Sequence, residues 1–364
     1  MNKFKLEREL NNSDSSDFDP RNQLNKVNNT YYEAINPTHP NELHKSIDKI
    51  QILKKFTESP VKVMTIGVGG GVELKALDAL YNKKDLKVFG LDVSENAICA
   101  AQNYLSLFPD LERRVTFYRK NISEQATQLP NSNMDVIVAS SVLHEIFSYS
   151  ANGTQAVKNS LSNMFNLLSD DGVLLIRDFA GPTISDSIDI SFLDNTAVEF
   201  YEFFSKYYRK FASWNESDKI LMQSATVLDN SEITINKSLV NISASTAGEM
   251  ILHFKNYLDH IKRGIIAEED TSWKELDEVY LFLSALSTNS YNSFENFLEL
   301  ILTTANENNT PIQVAHIQRT EKNYKSIELA KYFKISDESG EDVTQKFIQD
   351  CSCKFEIIIK KRKI

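Results

Sequence analysis

The feature that most constrains the fold is a glycine cluster between two regular patterns. The stretch VKVMTIGVGGGVELKAL begins with an apolar run typical of a buried strand and ends with the spacing of an amphipathic helix. Gly67, Gly69 and Gly71 lie between them. Without Cβ atoms, such a turn can bring its backbone close to a ligand, and the amides that open the following helix favour ligand oxygens. The stretch therefore predicts a nucleotide-type binding loop.

The spacing of the glycines excludes two common classes of such loops. A P-loop needs Gly-Lys followed by Ser or Thr, which GVGGGVE lacks. A dinucleotide fingerprint, G-x-G-x-x-G, needs a glycine where Val72 stands. The pattern that remains is G-x-G-x-G.

Strand and helix patterns alternate along the chain after residue 60. The strand-like runs are VKVMTIGV, LKVFGLDVS, RVTFYRKN, MDVIVASS and GVLLIRDF. Alternation of this kind requires right-handed crossovers and a doubly wound, mostly parallel sheet. Two more strand patterns, PIQVAHIQRT and CKFEIIIKKRK, predict a C-terminal hairpin with a polar connection. We therefore predict an α/β fold with a seven-stranded, mostly parallel sheet and one antiparallel hairpin strand.

The same patterns predict the domain organisation. Residues 61–184 and 306–364 form the predicted α/β core. Residues 185–305 carry helical segments rich in aromatic residues, which predict a helical insertion or lid over the substrate. Residues 26–60 predict an N-terminal helical segment, and the polar residues 1–25 predict a disordered or loosely attached end.

Composition restricts the class of partner and the compartment. The net charge is −10, which disfavours a nucleic-acid partner because phosphates attract basic surfaces. The three cysteines and six histidines show no metal-ligand spacing, so we expect no metal site. The N-terminus lacks the apolar segment of a signal peptide, and no window approaches the ~20 apolar residues of a membrane span. These features predict a soluble, cytoplasmic protein.

The G-x-G-x-G pattern resembles motif I of the class I S-adenosylmethionine-dependent methyltransferases. Further features follow in that family's order: Asp92 ends the second strand, Asn121 ends the third, and MDVIVASSVLHEI resembles the fourth strand with its loop. LSNMFNLLSDDGVLLIRDF resembles the next helix and the fifth strand, and the C-terminal hairpin resembles the sixth and seventh. The resemblance covers residues 61–180 and 311–364.

This resemblance implies S-adenosyl-L-methionine as the cofactor. The residues implied to bind it follow the carboxyl ends of the first four strands: Gly67, Gly69, Gly71, Glu73, Asp92, Val93, Asn121, Ile122, Ser140 and Ser141. The implied role of Asp92 is to accept both ribose hydroxyls, and that of Asn121 and Ile122 is to contact the adenine ring. For Ser140 and Ser141, capping of the next helix is the alternative. Thr65 stands where the family usually has an acidic residue, and Glu73 is the expected substitute.

The acceptor side is predicted from the ends of the fourth and fifth strands. His144 has a pKa range suited to a general base, although lining the cofactor pocket is an equally open role. Arg177 and Asp178 alternate along a strand, so at most one of them faces the site directly, and Asp178 is the better candidate. The predicted catalytic residues are His144 and Asp178, and the predicted acceptor contacts are Tyr149, Arg177, Tyr201 and Phe204.

The resulting functional hypothesis is methyl transfer to a small-molecule or protein acceptor by in-line displacement. A second hypothesis is a catalytically inactive, methyltransferase-like binding or scaffold protein, which Thr65 and Asn121 motivate because both depart from the family pattern. Transfer to RNA and transfer of an aminopropyl group are further alternatives.

Overall fold

The computed structural model describes residues 40–124, 133–183, 187–207, 226–227, 239–263, 279–280, 282–283, 285–286, 293–320 and 326–363. The predicted disordered end, residues 1–25, lies outside them, as do parts of the predicted insertion. The described chain divides into two compact units. The glycine-loop unit comprises residues 40–178, 300–318 and 356–363, and the second unit comprises the described residues within 179–299 and 319–355.

The elements are numbered in chain order. The helices are α1 Pro40–Ile50, α2 Val72–Tyr81, α3 Glu95–Leu105, α4 Pro109–Glu112, α5 Leu143–Ser148, α6 Gly153–Leu167, α7 Asn195–Tyr207, α8 Ala244–Arg263, α9 Ser293–Glu307, α10 Ser326–Leu329 and α11 Thr344–Cys351. The strands are β1 Lys62–Ile66, β2 Lys87–Asp92, β3 Val115–Arg119, β4 Met134–Ser140, β5 Leu168–Phe179, β6 Ser187–Phe192, β7 Thr226–Val227, β8 Leu239–Ser243, β9 Ile312–Thr320, β10 Phe333–Ser336 and β11 Lys354–Lys361.

A seven-stranded sheet has the order β3-β2-β1-β4-β5-β11-β9. The four pairs among its first five strands are all parallel. The chain builds outward from β1 to β3 and then returns to the other side of β1 with β4. The carboxyl ends of β1 and β4 therefore form a topological switch point, where open α/β sheets bind ligands. The predicted seven-stranded, mostly parallel sheet with an antiparallel strand is confirmed.

Burial explains why these segments form strands and helices. Four of the five residues of β1 are buried, as expected for a central parallel strand covered on both faces. In α2 the apolar stripe predicted from the sequence, which includes Leu74 and Leu77, is fully buried. Helix α3 begins at Glu95 because the Ser94 hydroxyl caps it by accepting from the Ala97 amide at 3.2 Å.

The second unit contains a four-stranded antiparallel sheet of order β10-β6-β8-β7. The sequence had predicted only helices between residues 185 and 305, so β6 and β8 are an additional finding. In β6, Ile188, Ile190 and Phe192 alternate between less buried residues and face an apolar core. The aromatic helix α7 also packs into that core. The alternation of apolar residues in β6 extends over only six residues. The longer helical patterns around it therefore dominated the prediction for this region.

The two predicted C-terminal strands, β9 and β11, are neighbours in the large sheet. Their connection is more elaborate than the predicted polar link, since it carries α10, β10 and α11. Helix α11 forms because Phe347, Ile348 and Cys351 supply a buried apolar face. The boundaries proposed for the core and the insertion stay a prediction.

Among the described helices, none has both the length and the apolar character needed to cross a membrane.

Candidate functional site

The glycine loop between β1 and α2 requires glycine at defined positions. Gly67, Gly69 and Gly71 have φ angles of 75°, 50° and 86°, in the left-handed region that side chains disfavour. A Cβ atom on Gly67 would lie 2.9 Å from the Val142 side chain, and one on Gly71 would lie 2.9 Å from Ala101. The loop is therefore shaped by close approach to Val142, before α5, and to Ala101 of α3, as well as by its turns.

Asp92 joins the glycine loop to the turn after β2. Its Oδ2 accepts from the Gly69 amide at 3.3 Å, and its Oδ1 accepts from the Ser94 amide at 2.8 Å. The residue is 6% exposed. A carboxylate has about four acceptor sites, so one that holds a loop in this way can still accept from a ligand. Val93, which is partly buried, lies in the same turn.

The loop after β3 contains the predicted adenine contacts. The side-chain oxygen of Asn121 accepts from both the amide and the hydroxyl of Ser123, at 2.9 and 2.7 Å. Ile122 is buried, and its carbonyl accepts from the Asn163 amide group. Asn163 was missed from the sequence. The available signal was a polar residue within the apolar stripe of α6.

Strand β4 ends in an unusual backbone. Ser140 is its last residue, and Ser141 has a φ of 54°, which costs a residue with a Cβ about 1–2 kcal/mol. The Ser141 amide donates to the Arg177 carbonyl at 2.7 Å. Helix α5 follows with Val142 before its first residue and no side-chain cap. Whether the serines cap α5 or contact the cofactor stays a prediction; a left-handed residue such as Ser141 at a strand end is often found at functional sites.

His144 and Asp178 form a buried pair at the ends of β4 and β5. His144 Nδ1 lies 2.7 Å from Asp178 Oδ1. Asp178 Oδ2 accepts from the amides of Leu143 and His144, at 3.1 and 3.3 Å. The two residues are 1% and 0% exposed. Asp178 therefore orients the imidazole and also fixes the first turn of α5.

Arg177 points away from this pair, as alternation along β5 requires. Its Nε donates to Glu356 Oε1 on β11 at 2.7 Å, and both side chains are buried. The guanidinium predicted to contact an acceptor is thus engaged in an ion pair that joins two strands of the sheet.

The remaining predicted residues divide between the two units. Glu73 lies in the first turn of α2, and the partly buried Tyr149 follows α5 directly. Tyr201 and Phe204 belong to the second unit. Phe204 is fully buried there, with its ring 5.9 Å from that of Phe200, and Tyr201 packs on Phe192 at 5.1 Å. In their own unit these two rings contribute to packing.

Thr65 is the departure beneath the glycine loop. It is fully buried in β1, and its hydroxyl has no hydrogen-bond partner among the described residues. Such a group costs about 1–3 kcal/mol. The surroundings nevertheless fit a nucleoside-type cofactor, because the left-handed glycines expose backbone, Asp92 offers a carboxylate and Ile122 offers an apolar surface.

Comparison with known proteins agrees with this site. Residues 64–174 match the family model described as a methyltransferase domain. This range contains the glycine loop, Asp92, Asn121 and His144. A search of curated proteins gave no match.

Solved structures show weaker similarity. A SAM-dependent methyltransferase from Methanosarcina mazei is 12% identical, with a TM-score of 0.39, over 86% of this chain and 98% of its own. The methyltransferase CcbJ from Streptomyces caelestis is 15% identical, with a TM-score of 0.33, over 41% of this chain and 56% of its own. Phosphoethanolamine N-methyltransferase 2 of Haemonchus contortus is 16% identical, with a TM-score of 0.39, over 94% of this chain and 59% of its own. These similarities are too low to transfer a function.

The match over residues 64–174 covers the switch-point side of the seven-stranded sheet, with its glycine loop and the carboxylate that follows β2. This match supports the predicted resemblance of residues 64–174 to the class I S-adenosylmethionine-dependent methyltransferases.

Proposed function

We propose that this protein transfers a methyl group from S-adenosylmethionine to a small-molecule or protein acceptor, with His144 as the general base. The observation that carries the proposal is the His144–Asp178 pair, at 2.7 Å, beside the glycine loop. The loop and the pair are adjacent, since a Cβ on Gly67 would lie 2.9 Å from Val142, two residues before His144.

The chemistry divides between the cofactor and the chain. S-adenosylmethionine supplies, when bound, a methyl group activated on a sulfonium sulfur. The glycine loop and Asp92 bind and orient the nucleoside part, and Ile122 offers an apolar surface to the base. Since Asp178 holds His144 at Nδ1, the other ring nitrogen, Nε2, is the atom that takes the acceptor's proton as the new bond to carbon forms and the bond to sulfur breaks.

The charge of the chain favours the proposed acceptor classes. A net charge of −10 opposes binding of the RNA backbone. A small molecule or a protein side chain carries no such penalty. An aminopropyl transferase needs paired acidic groups around a cationic amine, whereas Asp178 is bound to His144 and two backbone amides.

A second candidate function is cofactor binding without transfer. Three observations favour it: the unpartnered Thr65 hydroxyl, the engagement of the Asn121 side-chain oxygen by Ser123, and the burial of His144. In this case the His144–Asp178 pair holds the start of α5 and takes no proton.

A labelled-transfer assay distinguishes the two functions. The full chain is incubated with S-adenosylmethionine carrying a tritiated methyl group and with extract separated into small-molecule, protein and RNA fractions. The proposal expects label in the small-molecule or protein fraction. Binding of S-adenosylhomocysteine without transfer to any fraction supports the second candidate, and absence of such binding rejects both.

A His144→Gln variant tests the role of the base. A base role predicts a large fall in kcat, loss of the acidic limb of the pH–rate profile, where the rate falls as the base is protonated, and an unchanged Kd for S-adenosylhomocysteine. A positioning role predicts a weaker Kd with an unchanged pH profile, because the start of α5 would shift.

A further inference from the structure

One helix holds the loop that follows β3. The carbonyls of three successive residues, Ile122, Ser123 and Glu124, all accept from side-chain amides of α6. Asn163 Nδ2 donates to the first and third of these carbonyls, each at 2.7 Å. Asn159 Nδ2 donates to the second at 3.1 Å. Since loop carbonyls ordinarily face water or their own turn, three in a row facing one helix indicate a fixed conformation.

The two asparagines are placed and oriented for this task. They are four residues apart and so share one face of α6. Asn163 is 6% exposed and lies among the mostly apolar buried residues of α6. The Asn159 side-chain oxygen accepts from Gln155 Nε2 at 2.9 Å, which turns its amino group toward Ser123. Burying a polar side chain costs free energy unless it forms hydrogen bonds, and the loop carbonyls accept those bonds from the two asparagines.

The loop is also held by hydrogen bonds within itself, which Asn121 makes. This side chain accepts from the Ser123 amide and hydroxyl, and the Asn121 carbonyl accepts from the Glu124 amide at 3.3 Å. Amides and carbonyls of the loop are thus fixed independently. This loop includes Asn121 and Ile122, the two residues implied to contact the adenine ring.

We propose that Asn159 and Asn163 are positioning residues that set the shape of the adenine-binding loop. This inference rests on the proposed binding of S-adenosylmethionine. The two asparagines contact no ligand atom and act through the backbone of Ile122, Ser123 and Glu124. Their loss is expected to weaken recognition of the base more than recognition of the rest of the cofactor.

The test compares two ligands by titration calorimetry of the full chain. They are S-adenosylhomocysteine and its inosine analogue, in which the adenine amino group is replaced by a carbonyl. Asn163→Leu keeps the size of the side chain and removes both hydrogen bonds. Each lost hydrogen bond is expected to lower the affinity for S-adenosylhomocysteine by at most about tenfold. The preference for S-adenosylhomocysteine over its inosine analogue is expected to fall as well. A general loss of stability would change both affinities alike.

Two further variants keep the test decisive. Asn159→Ala changes a half-buried residue that bonds a single carbonyl, so it folds even if Asn163→Leu does not, and it is expected to show the same effect more weakly. Ser160→Ala is the matched control, since its buried hydroxyl bonds only the Ala156 carbonyl of its own helix, at 2.8 Å. This control should keep the wild-type ligand preference.

The outcomes separate this inference from the proposed function. If the wild type binds S-adenosylhomocysteine and both asparagine variants keep its affinity and ligand preference, the inference is wrong and the proposed function stands. If the wild type does not bind S-adenosylhomocysteine, the proposed function is wrong and the inference falls with it.

Discussion

The glycine-loop unit and the second unit bury polar groups in different ways. In the glycine-loop unit, the buried Asp92, Arg177 and Asp178 lie at the carboxyl ends of parallel strands, and backbone amides or an opposite charge satisfy them. In the second unit, burial raises the pKa of Tyr280 and of Cys351, which favours their neutral forms. The Tyr280 hydroxyl donates to the Cys351 carbonyl at 3.1 Å.

The difference follows from sheet architecture. Parallel strands end at one edge of a sheet, where turns and the first turns of helices follow. The backbone amides there are free to donate to a carboxylate. An antiparallel sheet pairs its backbone groups internally, and helices cover its apolar face. The buried carboxylates Asp92 and Asp178 therefore belong to the predicted site, whereas Tyr280 and Cys351 belong to the packed core of the second unit. Four experiments test this difference between the units.

The largest expected effect is on stability, from breaking the Arg177–Glu356 pair. Glu356→Leu leaves a buried guanidinium without its carboxylate and should lower the free energy of unfolding by about 3–5 kcal/mol in urea denaturation. The control is Glu307→Gln, which breaks a more exposed pair with Lys158 at 3.1 Å and should cost less than about 1 kcal/mol. Equal effects of the two changes would show that burial does not make the Arg177–Glu356 pair more important for stability than an exposed pair.

The next effect is on ligand affinity. Asp92→Ala removes the carboxylate that accepts from the Gly69 and Ser94 amides. We expect the affinity for S-adenosylhomocysteine to fall about a hundredfold, because hydrogen bonds to charged groups contribute about 1.5–3 kcal/mol each. The control is Asp194→Ala in the second unit, where a carboxylate accepts from the Thr196 amide at 2.7 Å. Calorimetry should show wild-type affinity for this control, and a comparable loss there would refute the comparison.

A matched pair of glycines separates backbone strain from close packing. Gly71 and Gly340 have φ angles of 86° and 82°. A Cβ on Gly71 would meet Ala101, whereas a Cβ on Gly340 would meet nothing within 4 Å. Gly340→Ala should cost only the left-handed strain, about 1–2 kcal/mol. Gly71→Ala should cost clearly more in thermal unfolding and should also weaken S-adenosylhomocysteine binding. Equal costs would show that the glycine loop is not tightly packed.

The smallest effect concerns an exposed turn of the second unit. The Ser339 hydroxyl donates to Asp337 and lowers the pKa of that carboxyl. Because the folded-state pKa is the lower one, the bond stabilises the fold above the ordinary aspartate pKa of about 4 and loses this effect as the pH falls through the folded value. Ser339→Ala should therefore lower stability slightly at pH 6 and not at about pH 2. A difference independent of pH would assign the loss to another cause.

Local patterns sufficed for much of the fold. The alternation of strands and helices predicted the large sheet, because the spacing of apolar residues within each element can be recognised from neighbouring residues alone. The left-handed glycines and the Ser94 cap were also predictable, because backbone preferences act within a turn. The position of Asp92 at a strand end follows from the same local information.

Partners distant in the chain were decided only by the tertiary structure. His144 and Asp178 are 34 residues apart, and Arg177 and Glu356 are 179 apart. No local pattern indicates that Asn163 faces the loop at Ile122, 41 residues away. The small sheet of the second unit was missed for a related reason, since β6 and β8 are each short and are stabilised by pairing with strands distant in the chain. Which elements form and where a ligand loop lies could be predicted from local patterns, because these depend on neighbouring residues. Which charged side chains pair with each other depends on the order of the strands in the sheet. That order is set by burial of the whole apolar core.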